Sequence, residues 1–362
     1  MPKVKGLPAA QFTGTRPKLP DLFTRYSEQV QAEFCSILPN GSMELSDPFR
    51  YHLGWADESG ERLTVPQGQG KALRSALCLF ACQALDGDWI RAIPAATALE
   101  LTHNFSLIHD DIQDGDTERR HRPTVWRLWG QPKALLVGDA MHAMAYQVAL
   151  DLVERGVSES KALRSSRLLV ESCLSMIKGQ SLDLEFEDTL NIGLADYLEM
   201  IRLKTGALFT CSLEIGALLA SDEVQHVQAF ARYGNHLGRV FQIRDDVLGI
   251  WGNEEYTGKA GKASGNDIRR RKKSFPIVLA LEQARGRDHD QLVAVYQKES
   301  LVEADVDRVL EVLDTVGAQD HAHDLITKEA SLALRELENA PLSAWARSEA
   351  ESLVDFLVSR EY

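Results

Sequence analysis

The chain has 362 residues, with 40 Lys and Arg against 53 Asp and Glu, a formal net charge of −13, which argues against binding nucleic acid through a basic face. Hydrophobic residues make up 44% and charged residues 26%, values that exclude intrinsic disorder and collagen-like classes and leave a globular protein with a large core.

Residues 1–20 are Pro-bearing and charged and contain no apolar run of the kind a signal peptide needs, so they read as a mobile arm on a cytoplasmic protein. From about residue 21 to 362 apolar residues recur at spacings of three and four. Ala72, Leu73, Ala76, Leu77, Leu79 and Phe80 form one stripe, and Ala207, Leu208, Leu213 and Ile215 another. Strand-like alternation is almost absent. Glycine and proline gather at 68–70, 130–132 and 252–265, where they punctuate helices. The expectation is an all-α, single-domain bundle. The apolar stretch 134–150 is broken by Asp139, His142 and Gln147, short of the roughly 18 apolar residues of a spanning helix, so no membrane crossing is expected. Cysteines at 35, 78, 82, 173 and 211 are too sparse for a disulfide framework.

The residues that carry chemistry follow the same order. Lys71 and Arg74, in GKALR, open a helix as a phosphate clamp would. In SLIHDDIQDGDTERRHRPTVW, residues 106–126, Asp110 and Asp114 lie one helical turn apart, an arrangement of like charges that is unfavourable without a cation. Hard carboxylate oxygens at this spacing suit Mg²⁺, which leaves other positions for water and phosphate. Arg119 and Arg120 follow, as forks that match phosphate geometry. A second pair, Asp245 and Asp246, sits in the otherwise apolar FQIRDDVLGIWG, where an unpaired charge is costly. The basic run after Gly258 reads mostly as a solvated face.

In order along the chain, GKALR, DDIQD, ERRHRPTVW, KGQSLDLE, RLKTGALF, FQIRDDVLG and GKASGNDIRRRKKSFP resemble the motifs of the trans-isoprenyl diphosphate synthases, which include geranylgeranyl and farnesyl diphosphate synthases. The resemblance implies a helical bundle around a central cavity and a homodimer. It also implies condensation of isopentenyl diphosphate with a C5 to C15 allylic diphosphate, the ionised allylic carbon being attacked by the double bond and the proton leaving to pyrophosphate. Lys71, Arg74, His103 and Arg120 would hold isopentenyl diphosphate. Asp110, Asp114 and Asp245 would ligate three Mg²⁺ ions, with Asp111 and Asp246 in support. Arg119, Lys204, Thr205, Gln242 and a loop lysine would grip the allylic diphosphate; Lys262 keeps the family spacing to Asp267, Lys272 stands where a second lysine is expected, and Lys259 is the alternative.

Two positions depart from the pattern. Gly249 stands where a third aspartate is usual in the second acidic motif, and His121 replaces the glycine after the arginine pair. Bulky Phe105 and small Ser106, five and four residues before Asp110, resemble the arrangement of C20-forming enzymes, with C15 and C25 as alternatives. A class I terpene cyclase would need an Asn/Asp-rich second motif ending in Glu, which the sequence lacks. A metal phosphohydrolase built on His109 and Asp110 would need paired histidines, and the ten histidines are scattered. A non-enzymatic partner subunit would have no use for both acidic pairs and the phosphate-binding cations.

Overall fold

The computed structural model describes residues 20–37, 45–65, 67, 68, 70, 72–252 and 265–360. Lys71, Lys259 and Lys262 lie outside the described residues. The described residues are helical almost throughout, as the periodicity predicts. Short α1 (Leu22–Arg25), α2 (Ser27–Ile37) and α3 (Ser46–His52) precede the long elements. Helix α4 (Leu73–Ala84) is buried on nearly every face, including Leu77, Leu79 and Phe80, which makes it a central helix rather than an amphipathic surface one. Pro94 opens α5 (Ile93–Gln113), whose missing N–H is harmless in a first turn, and the helix runs 21 residues before Asp114 ends it.

After α5 the chain makes a two-residue hairpin, β1 (Glu118–Arg119) against β2 (Arg122–Pro123), with Arg119 opposite Arg122. Both turn residues have positive φ, 52° at Arg120 and 61° at His121. That is the signature of a type I′ turn, which favours Gly or Asn, so His121 stands where glycine would be relaxed. Helices α6 (Val125–Trp129), α7 (Gln131–Leu150), α8 (Glu159–Glu187) and α9 (Leu194–Ile201) follow. Next come a π-helical turn (Arg202–Gly206), α10 (Ala207–Ala220) and α11 (Val224–Trp251). Beyond residue 265, α12 (Asn266–Arg269), α13 (Phe275–Gln283), α14 (Arg287–Tyr296), α15 (Glu303–Thr315), α16 (Ala318–Glu336) and α17 (Ala344–Ser359) complete the bundle.

α5 packs along α7, α10 lies between α4 and α11, and α16 covers α11. The continuous helix 194–220 is long and apolar enough to cross a bilayer, but 61% of its apolar window is buried inside the protein and it carries Lys204 and Thr205 to the cavity, so it is a core helix.

Candidate active site

A cavity of about 550 Å³ opens between α4, α5, α8, the π turn and α11. Eleven residues singled out from the sequence line it: Arg74, His103, Phe105, Ser106, Asp110, Arg119, Arg120, Lys204, Thr205, Gln242 and Asp245. Phe105, Met176, Ile177, Leu184 and Leu208 give it an apolar depth, while the charged groups gather at the other walls.

The two aspartate pairs divide their labour by helix geometry. Adjacent helical residues point about 100° apart, so when one of a pair faces the cavity the next faces the core. Asp110 and Asp245 line the cavity. Asp111 is buried and accepts from Nε of Arg119 at 2.6 Å. Asp246, also buried, accepts from the Tyr197 hydroxyl, from the Phe275 backbone N–H at 2.8 Å, from Gln242 at 3.0 Å and from Lys272 at 3.3 Å. With its lone pairs so used, Asp246 is a structural carboxylate that fixes the start of α13 and orients Gln242. Gln242 in turn accepts from the Thr205 hydroxyl at 2.6 Å.

Lys204 is aimed by the π turn, a deformation that recurs at functional sites. Its ammonium pairs with Asp183 of α8. Asp183, within the quoted KGQSLDLE block, was not singled out from the sequence. α8 passes this turn at Gly179, where an added Cβ would meet the Lys204 backbone nitrogen at 2.2 Å. Lys272 does not line the cavity: it turns toward Asp246 and lies 3.9 Å from Asp267. Asp114 also lies off the cavity wall, at the end of α5, with its backbone N–H bonded to the Asp110 carbonyl at 2.8 Å.

Arg360, third from the end of the sequence, gave no motif signal. Its guanidinium stacks on Phe241, 3.9 Å from the ring centroid, donates to the Phe241 carbonyl at 2.9 Å and reaches Asp245 at 3.2 Å. Arg74 sits over the rings of Phe209 and Phe241, and its buried Nε has no hydrogen-bond partner among the described residues.

The charge balance is that of a site built for a ligand. Burial, aided by Asp114 and Asp183 and opposed by Lys204, pushes the Asp110 carboxyl up to about 6. Burial does the same to Asp111, against Arg119, and raises Asp114. Asp267 is pushed up to about 6 by burial, with Asp246 and Asp245 adding and Lys272 opposing. On the basic side, burial lowers Arg74 to about 10, Arg120 and Arg360 adding to the effect, and holds His103 well below its usual range, so His103 is neutral beside the arginines. The cavity wall thus sets Arg74, Arg119 and Arg120, groups that match an anion, beside Asp110 and Asp245, groups that match a cation. Among the described residues no three His, Cys, Asp or Glu side chains converge on one point. Sparse carboxylates of this kind suit Mg²⁺, which keeps coordination positions for water and phosphate oxygens. A metal-bridged diphosphate would satisfy both walls together.

Behind the apolar end, Phe105 is buried and stacks on His142 of α7, ring centroids 4.4 Å apart. The Ser106 hydroxyl donates to the His103 carbonyl at 2.8 Å.

Residues 60–313 match the family model described as polyprenyl synthetase. The chain is 37% identical over 336 residues to a geranylgeranyl diphosphate synthase of Mycobacterium tuberculosis, covering 91% of this chain and 93% of the relative. To a (2E,6E)-farnesyl diphosphate synthase of Mycobacterium bovis it is 40% identical over 300 residues, covering 83% and 75%. A crystal structure of a polyprenyl synthetase from Streptomyces coelicolor superposes with a TM-score of 0.84 at 32% identity, over 93% of this chain and 98% of the other.

Proposed function

The chain belongs to the polyprenyl synthetase family, and from that premise we propose that it joins isopentenyl diphosphate to an allylic diphosphate to give geranylgeranyl diphosphate, using three Mg²⁺ ions held by Asp110, Asp114 and Asp245. Synthesis of a short-chain trans-prenyl diphosphate, and hence trans-prenyltransferase activity, follows from the named relatives. The family is Mg²⁺-dependent and takes isopentenyl and allylic diphosphates. The C20 length, the ion count and the residue roles are our reading.

One observation carries that reading: Asp110, Asp245, Arg74, Arg119, Arg120 and Lys204 share one cavity with an apolar end closed by Phe105. Arg74, Arg120 and neutral His103 bind isopentenyl diphosphate, with Lys71 beyond the described residues. Arg119, Lys204, Thr205 and Gln242 orient the allylic diphosphate, with Lys262 expected to join from outside the described residues and Lys272 from its seat on Asp246. In the reaction the allylic carbon–oxygen bond breaks, the isopentenyl double bond forms the new carbon–carbon bond, and the displaced proton goes to the departing pyrophosphate. Bound magnesium supplies charge stabilisation on that leaving group. Lys204 and Arg119 hold it in line, and the apolar wall keeps water from the cation.

We also propose a single-domain enzyme working in the cytoplasm as a homodimer. Support for pairing comes from exposed Leu163, Val170, Leu174 and Ile177, which form one stripe of α8 beside exposed Leu135 and Leu136 of α7. The test of product length is incubation with labelled isopentenyl diphosphate and C5, C10 or C15 allylic diphosphates, followed by sizing of the dephosphorylated alcohols. C20 from every primer supports the reading. C15 or C25 as the end product overturns the length assignment, and a cyclic hydrocarbon made from the allylic diphosphate alone would favour a terpene cyclase instead.

A further inference from the structure

We propose that Arg122 is a positioning residue for the isopentenyl diphosphate end of the cavity: it clasps the β1–β2 hairpin onto α3 and onto the segment that leads into α4, and so holds Arg120 in a strained conformation. Arg122 itself does not line the cavity. Its guanidinium donates instead to three backbone carbonyls, through Nη1 to Tyr51 at 3.0 Å and Gln67 at 3.2 Å and through Nη2 to Ala56 at 2.6 Å. The guanidinium carbon also stands 3.9 Å from the centroid of the buried Tyr51 ring. Tyr51 returns the contact, its hydroxyl donating to the Pro123 carbonyl at 2.8 Å. A planar fork of donors can reach several carbonyls at once, which the single ammonium of a lysine cannot do in the same way.

The clasp matters because the turn it closes is strained. Arg120 and His121 both have positive φ and neither is glycine. Backbone conformations of this kind persist only where the surroundings over-determine them. Here both strands are pinned: β1 by Arg119 on Asp111 at 2.6 Å, β2 by the Arg122 fork. Arg120 is thereby brought onto the same stretch of chain, its Nη1 donating to the Gly68 carbonyl at 3.2 Å. Its fork lies against Gly70, where an added Cβ would meet Nη2 at 2.7 Å. Arg122 on Gln67 and Arg120 on Gly68 thus tack down successive residues before α4, and Arg120 reaches the cavity wall beside Arg74 and His103. What glycine at 121 would supply by its own freedom, this chain supplies through Arg122.

The inference rests on the reading of Arg120 as a group that holds isopentenyl diphosphate, and the experiment separates the two. KM for isopentenyl diphosphate, KM for the allylic diphosphate and kcat are measured for the full chain and for Arg122→Met, Arg122→Lys, His121→Gly, the His121→Gly/Arg122→Met double variant and Arg120→Ala, with melting temperatures alongside. Arg122→Met is expected to raise KM for isopentenyl diphosphate about tenfold, the equivalent of one charge-assisted hydrogen bond, while the allylic KM and kcat stay within about twofold. Arg122→Lys keeps the charge without the fork, so it carries the test if the methionine variant does not fold, and a rise of about threefold is expected. In the His121→Gly background the turn is relaxed, and Arg122→Met should raise the same KM by no more than about threefold, a coupling between neighbours that independent sites would not show. An unchanged KM for isopentenyl diphosphate in a folded Arg122 variant, an equal rise for both substrates, or an effect of Arg122→Met that is the same in both backgrounds overturns the proposal. If Arg120→Ala leaves KM for isopentenyl diphosphate unchanged, the reading of that end of the cavity is wrong; if Arg120→Ala raises it while the Arg122 variants do not, only the role of Arg122 falls.

Discussion

Gly179→Ala tests how the π turn aims Lys204. The added Cβ would stand 2.2 Å from the Lys204 nitrogen, 2.6 Å from its Cα and 2.8 Å from the Leu203 carbonyl carbon, against an ordinary contact of 3.4 Å or more. All three are backbone atoms, so no rotamer change relieves the clash; α8 and the π turn must separate by about 1.2 Å, the difference between 3.4 and 2.2 Å. Overpacking of a well-filled contact costs about 1–3 kcal/mol. A shift of about 1 Å in a group that positions substrate costs on the order of 10²-fold in rate. Urea denaturation and steady-state turnover with both diphosphates measure the two effects. Gly193→Ala is the control, since its Cβ would meet only flexible carboxylates of Asp196 and Glu282 at 3.5 and 3.7 Å, and a change within about 0.5 kcal/mol is expected. Wild-type stability and turnover in Gly179→Ala would refute the claim that this close approach sets the Lys204 position.

Phe105→Ala should lengthen the product, because the next inward-facing residue on α5, Leu101, lies about 6 Å further along the helix; an unchanged product distribution would place the floor elsewhere. Asp110→Ala should reduce turnover by orders of magnitude while leaving the helical circular dichroism intact, and near-normal turnover would count against its place at the metal. His121→Gly should stabilise the chain by up to about 1 kcal/mol, since relief of about 1–2 kcal/mol of left-handed strain outweighs the extra freedom glycine gives the unfolded chain; a lower melting temperature would contradict the turn assignment. His52 has a folded pKa of about 3, held down by burial and by Arg120 and Arg119, against 6.5 in the unfolded chain. Protons therefore favour the unfolded state below pH 6.5, and stability should erode as the pH falls from about 6.5 toward 3. In His52→Gln, which keeps a donor for Asn104, the erosion should be shallower; an identical pH profile would rule His52 out as its source.

Much of the site was legible because its residues are local. DDIQD and FQIRDDVLG each put an adjacent pair of carboxylates toward one helix end, and the periodicity around them is helical. Less legible was the division within each pair: which aspartate faces the cavity depends on helix rotation, fixed by Arg119 on one side and by Tyr197 and Phe275 on the other. Arg360 could not be found at all from sequence, since it meets Asp245 across 115 residues with no motif around it. Lys272, which the family resemblance sets near a diphosphate, pairs with buried Asp246 at 3.3 Å, a partner its own stretch of sequence does not announce. The apolar character of 194–220 reflects burial in a protein core, 61% of its apolar window being inside the protein. His121 was noticed as a departure but carried no meaning until the turn geometry gave it a positive φ.

The account turns on metal-assisted departure of pyrophosphate coupled to carbon–carbon bond formation. The direct measurement is pyrophosphate release by the purified chain given isopentenyl diphosphate and an allylic diphosphate, with Mg²⁺ and after chelation. The account predicts release matched one for one by prenyl-chain extension, abolished by chelation and restored by added Mg²⁺. Extension that persists without divalent metal, or pyrophosphate release with no chain extension, would contradict it.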